Sequence, residues 1–96
     1  MLATRTQAAE LRCQASIHED EANFWADREA ELAGNVAYHL RKKDEATADV
    51  FETRRQKAAD EWLHFCRLAE DCRRELYRIE ADERRFRDLA FVVKAA

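Results

Sequence analysis

Glu61 and His64 stand one helical turn apart. A carboxylate and an imidazole at that spacing share a helix face, as they do where four-helix bundles hold paired iron or manganese ions. Such a centre needs a second motif of the same kind and two further glutamates on facing helices. His18 and His39 have no equivalent partner, so Glu61 and His64 read as a solvated helix face. Cys66 and Cys72 are six residues apart, which puts them on different sides of a helix and excludes a short-spacing zinc clip. No Cys-x-x-Cys pair is present, so the thiols do not form a dithiol redox motif. Cys72 reads as a small core residue, with Cys13 near it if the chain folds back on itself. Three scattered histidines frame no nucleophilic triad, and a single glycine, Gly34, cannot build a phosphate-cradling loop. These residues predict a protein that is not an enzyme and that carries no metal or other cofactor.

The elements that position them are helices. The chain has 96 residues, enough for one domain. Proline is absent, Gly34 is the lone glycine, and Ala, Glu, Arg and Leu dominate. Summed over a window, that bias predicts an all-α chain. Charged residues make up 39%, and much of the 47% apolar share is alanine, so a single copy has a thin core. The net charge of −3 marks neither a nucleic-acid binder nor an acidic tail. The arginine pairs 54/55, 73/74 and 84/85 are interleaved with acids, which leaves little counterion release to drive direct nucleic-acid binding. No stretch approaches the roughly 20 apolar residues that span a bilayer, and no signal peptide is recognised. An odd number of cysteines without secretory features predicts reduced thiols in a cytoplasmic protein. Arginine outnumbers lysine, a composition expected of GC-rich bacterial or phage coding.

The C-terminal half carries the clearest periodicity. Phe51, Ala58, Trp62, Phe65, Ala69, Cys72, Leu76, Ile79, Phe86, Ala90 and Val93 follow steps of three and four, with Glu83 the polar exception. That pattern predicts one helix over about 47–92, about 70 Å long at 1.5 Å per residue. Glu70/Arg74, Glu80/Arg84 and Glu83/Arg87 lace its outer face with the acid N-terminal, the better orientation. Upstream, Trp25, Leu32, Val36 and Leu40 form a second stripe across Gly34, predicting a helix over about 19–42; a C-cap stop at Gly34 is the competing reading. A turn at about 43–46 follows, with Asp44 or Thr47 as the next N-cap.

The first stretch has its own stripe, Leu2, Ala9, Cys13, Ile17 and Phe24, out of phase with Trp25. With the capping-box match Ser16-Ile17-His18-Glu19, it predicts a helix over about 2–17 and a kink or break near 16–22, the alternative being an unbroken, slightly twisted helix. The chain is thus a single domain over 1–96. It forms a long antiparallel helical hairpin, coiled-coil-like, with a kinked or broken N-terminal helix, or else a three-helix bundle. Folding at the turn sets opposite one another residues whose numbers sum to about 89.

Two helices leave flanks uncovered. The apolar arc widens at Ala58, Ala59, Trp62, Leu63, Phe65 and Cys66, and Trp25 and Tyr77 add aromatic surface. Exposed arcs of this kind mark interfaces. They predict a helical protein–protein interaction module of adaptor, chaperone or inhibitor type, acting as a homodimer or on a different protein. The alternative starts from Glu19, Asp20, Glu21, Asp27, Glu29 and Glu31, six acids set against Arg28 alone. It is a phage- or mobile-element-type stoichiometric inhibitor that offers this acidic patch to a basic nucleic-acid-binding complex, such as a bacterial defence complex.

Overall fold

The computed structural model describes the backbone of residues 2–95 and the side chains of residues 5–90. Two helices form an antiparallel hairpin: α1, Leu2–Arg41, and α2, Glu45–Ala95. The pair makes a rod of 78 × 19 × 13 Å. Among the described residues there is no third helix, so a three-helix bundle is excluded. Leu2 and Val93 of the predicted stripes lie outside the described side chains.

The turn is built from local chemistry. Lys43 takes a left-handed φ of 59°. Its amide donates to the Leu40 carbonyl at 3.0 Å and the Asp44 amide to the His39 carbonyl at 2.9 Å. This is the Schellman pattern that closes helix C-termini, with lysine where glycine is usual. Asp44 then opens α2 as its N-cap, its carboxylate accepting from the Thr47 amide at 3.2 Å. Hydrogen bonds from Thr47, its side-chain hydroxyl foremost and then its amide, hold the Asp44 carboxyl below its ordinary range, with His39 adding a smaller pull in the same direction.

The seam differs from the expected one in α1. Ala8, Ala15 and Ala22 are buried at seven-residue spacing, while Ala9, Cys13, Ile17 and Phe24 are exposed. The true α1 seam is Ala8, Leu11, Ala15, His18, Ala22, Trp25, Glu29, Leu32, Val36 and His39, an unbroken alternation of threes and fours. The expected kink or break near 16–22 is therefore absent. It came from following bulky side chains, whereas the buried line is alanine, which fits between helices at close approach. Because the phase never breaks, the helix has no need to bend, and Ser16 caps nothing. α1 also runs through Gly34, which is no stop.

α2 answers with Ala48, Ala58, Ala69 and Ile79, all buried. Leu32, 2% exposed, is the largest side chain so completely enclosed, and its burial contributes about 1.5–3 kcal/mol. The cross-helix ties bracket the expected register: Arg12 with Glu80, Gln14 with Cys72, His18 with Phe65, Glu29 with Arg55 and His39 with Phe51. Leu40 and Val50, which the sum of about 89 sets opposite one another beside the turn, are both half exposed.

Candidate interaction surface

An alanine seam draws the helices together and expels bulk to the flanks. Among the described residues, the exposed large apolar side chains are Ile17, Phe24, Tyr38, Leu40, Val50, Trp62, Leu63, Tyr77, Phe86 and Leu89. They divide between the two broad faces of the rod.

The first face is organised around a cleft of about 340 Å³ lined by Ala26, Glu29, Ala59 and Trp62. Trp62 is 43% exposed and Leu63 41%, and Cys66 lies half-buried one turn on. On α1, Ala26, Ala30, Ala33 and Ala37 recur at helical spacing as a smooth ridge beside this bulk. Ala26 and Ala33 are half-buried, Ala30 and Ala37 exposed. Ion pairs bracket the apolar stretch. Toward the open end of the hairpin stand Arg12–Glu80 at 3.0 Å and the Arg73–Glu19 pair. Toward the turn, Arg55 donates to Glu29 at 2.9 Å and to Glu52 at 2.8 Å. These bonds hold Glu52 below and Arg55 above their ordinary values. An apolar centre inside a polar rim is the anatomy of an interface that excludes water around a few anchors.

The residues expected to bind a partner do not all sit together. Ala59, Trp62, Leu63 and Cys66 meet on this face. Tyr77, 68% exposed, stands two turns beyond Leu63–Glu70 on the same line of α2. Phe65 and Trp25 belong to the opposite side of the seam. Phe65 is half-buried between the rings of His18 and His64, and Trp25 packs edge-on to Phe24 at 5.2 Å. The alanine ridge of α1 was missed in the sequence. Its signal was there, in four alanines at i, i+4, i+7 and i+11, but alanine carries little weight when large apolar residues are being followed.

The acids expected to form a patch are largely engaged within the chain. Glu19 pairs with Arg73, Glu29 with Arg55 and Glu31 with Arg28 at 3.1 Å, while Glu21 lies 3.5 Å from His18 Nδ1. Asp20 and Asp27 are exposed, without an ion pair among the described residues. Of the expected outer-face pairs, Glu70–Arg74 forms at 3.5 Å, whereas the Glu80 side chain turns to Arg12 and only its backbone carbonyl accepts from Arg84.

Cys13 is exposed on the outer line of α1, so it does not meet Cys72, whose thiol faces Gln14 at 4.0 Å. Cys72 is half-buried at the rim of the seam, not enclosed within it. His64 packs on Phe65 rather than gathering further ligands. Among the described residues no three His, Cys, Asp or Glu side chains converge as a metal-binding group. Nor is any helix of the described residues long and apolar enough to cross a membrane. No protein-family model, no curated protein and no solved structure matches the chain.

Proposed function

We propose that this protein is a helical interaction module that works by binding rather than catalysis, docking a protein helix against the face formed by Ala26, Ala30, Ala33, Ala59, Trp62 and Leu63. One observation carries the reading: an apolar cleft lies between the two helices, lined by Ala26, Ala59 and Trp62 and bracketed by ion pairs that are already satisfied. An amphipathic helix laid in such a groove gains apolar contact without stripping water from an unpaired charge. Trp62 is the natural anchor, because large, partly exposed aromatics contribute a disproportionate share of binding energy. Three free thiols suit a reducing, cytoplasmic setting.

The acidic-patch reading has weaker support. Three of its six carboxylates, Glu19, Glu29 and Glu31, are committed to arginines of the same chain, and a paired acid offers a basic target little net attraction.

The test is site-specific photocrosslinking in the host cell. A photoreactive residue at position 63 is expected to trap a discrete protein adduct, and one at Lys57, exposed on the other broad face, is not. Adducts of equal yield and variety from both positions would overturn the assignment of this face.

A further inference from the structure

The same face carries a more specific conclusion, which rests on the docking reading above: we infer that its occupant is a second copy of this chain, joined about a two-fold axis parallel to the rod. The first argument is area. The chain exposes 7559 Å². A compact monomer of 11.3 kDa exposes about 5,700 Å² by the usual surface scaling. The excess is more than twice the roughly 800 Å² that each partner contributes to a standard protein–protein interface. A dimer of ordinary size is therefore well within what the rod has to offer.

The second argument is shape. At one level along the rod, α1 presents the small side chains Ala26 and Ala30, and α2 presents Trp62 and Leu63. An axis parallel to the rod keeps that level and lays α2 of each copy over α1 of the other. The overlying helices then run antiparallel, with bulk seated on alanine twice, once for each copy. A lone foreign helix would meet bulk on one side of the groove and alanine on the other, satisfying one of them.

The third argument is charge. Within one copy, α1 and α2 carry opposite signs at matching levels, in Arg12–Glu80, Glu19–Arg73 and Glu29–Arg55. Because the axis preserves level, each α2 charge of one copy comes over the α1 charge of opposite sign on the other. The charge already satisfied within each chain therefore meets no like charge across the interface, and the polar rim closes without repulsion. An axis perpendicular to the rod would invert the levels and lose this match.

The experiment has two parts. Light scattering on the full chain at micromolar concentration should give twice the 11.3 kDa mass. Leu63→Glu should weaken self-association by roughly tenfold or more, with helicity by circular dichroism unchanged. For the axis, Cys13, Cys66 and Cys72 are replaced by alanine, and chains carrying Ala30→Cys alone are mixed with isotope-labelled chains carrying Ala59→Cys alone. Mild oxidation should yield mainly mixed Ala30→Cys/Ala59→Cys dimers. Predominant linkage of Ala30→Cys chains to each other would overturn the parallel axis. A wild-type chain of single mass would overturn the second copy itself. If position 63 still traps a different protein while the chain is monomeric, the docking face stands and its occupant is foreign; if position 63 traps nothing, both inferences fall.

Discussion

The imidazole of His18 stacks on the ring of Phe65, centroids 6.2 Å apart and planes 25° from parallel. It occupies a seam position between Ala15 and Ala22, and its Nδ1 is buried without a hydrogen-bond partner, 3.5 Å from Glu21. A polar atom buried without a partner costs about 1–3 kcal/mol relative to a satisfied one. His18→Leu should therefore stabilise the hairpin by about 1 kcal/mol, read as a higher denaturant midpoint at unchanged slope. A lower midpoint would mean that the stacking on Phe65 outweighs the orphaned nitrogen.

Lys43 holds a left-handed φ of 59° at the helix C-terminus, where a side chain is disfavoured and glycine is not. Lys43→Gly is expected to raise stability by about 1 kcal/mol. Chemical denaturation monitored by helicity checks it.

Gly34 is the mirror case. It lies in the middle of α1, and a Cβ built there meets nothing within 4 Å. Gly34→Ala should add about 1 kcal/mol, because alanine restricts the unfolded chain and suits a helix interior. No gain in thermal unfolding would indicate that this segment is not helical in solution.

Both glycine-related positions show what periodicity can and cannot read. The hairpin, the placement of the turn and the α2 seam as far as Ile79 were legible because Trp62, Phe65, Leu76 and Ile79 announce themselves; beyond it Phe86 and Ala90, expected on the seam, are exposed. The α1 seam was not. Cys13, Ile17 and Phe24 look like a core line and are exposed, whereas Ala8, Ala15 and Ala22 look neutral and are buried. A pattern weighted by side-chain size inverts inside and outside wherever two helices touch through alanine. The same blindness hid the Ala26–Ala37 ridge, while Trp62 and Leu63 were found because they are large.

The alanine seam makes a sharper demand than an ordinary core. Ala58 is 1% exposed and Ala15 6%. Ala58→Leu should push the helices apart and destabilise by about 1–3 kcal/mol, despite being the more hydrophobic choice. Exposed Ala9→Leu, outside both the seam and the docking face, should not. Comparing the two unfolding midpoints separates seam from surface.

Acid should loosen the turn first. Asp44 has its carboxyl lowered from an ordinary value of 3.8 by the Thr47 hydrogen bonds. A lowered folded-state value means that its stabilising effect is complete above the unfolded value and is lost as pH falls through the folded one. Glu52, lowered by Arg55, has the same sign. Melting temperature should drop as pH descends below about 4, and Asp44→Asn, which can still cap, should flatten part of that slope.

The bend at Lys43–Asp44 also dictates the order in which the molecule comes together. Asp44 and Thr47 are neighbours along the chain, whereas Arg12 and Glu80 are 68 residues apart. With one loop and two arms, each further contact is cheap to form once the previous one has closed and costly to form alone. Assembly therefore zips outward from the bend, and the Arg12–Glu80 level is among the last to join and the first to part.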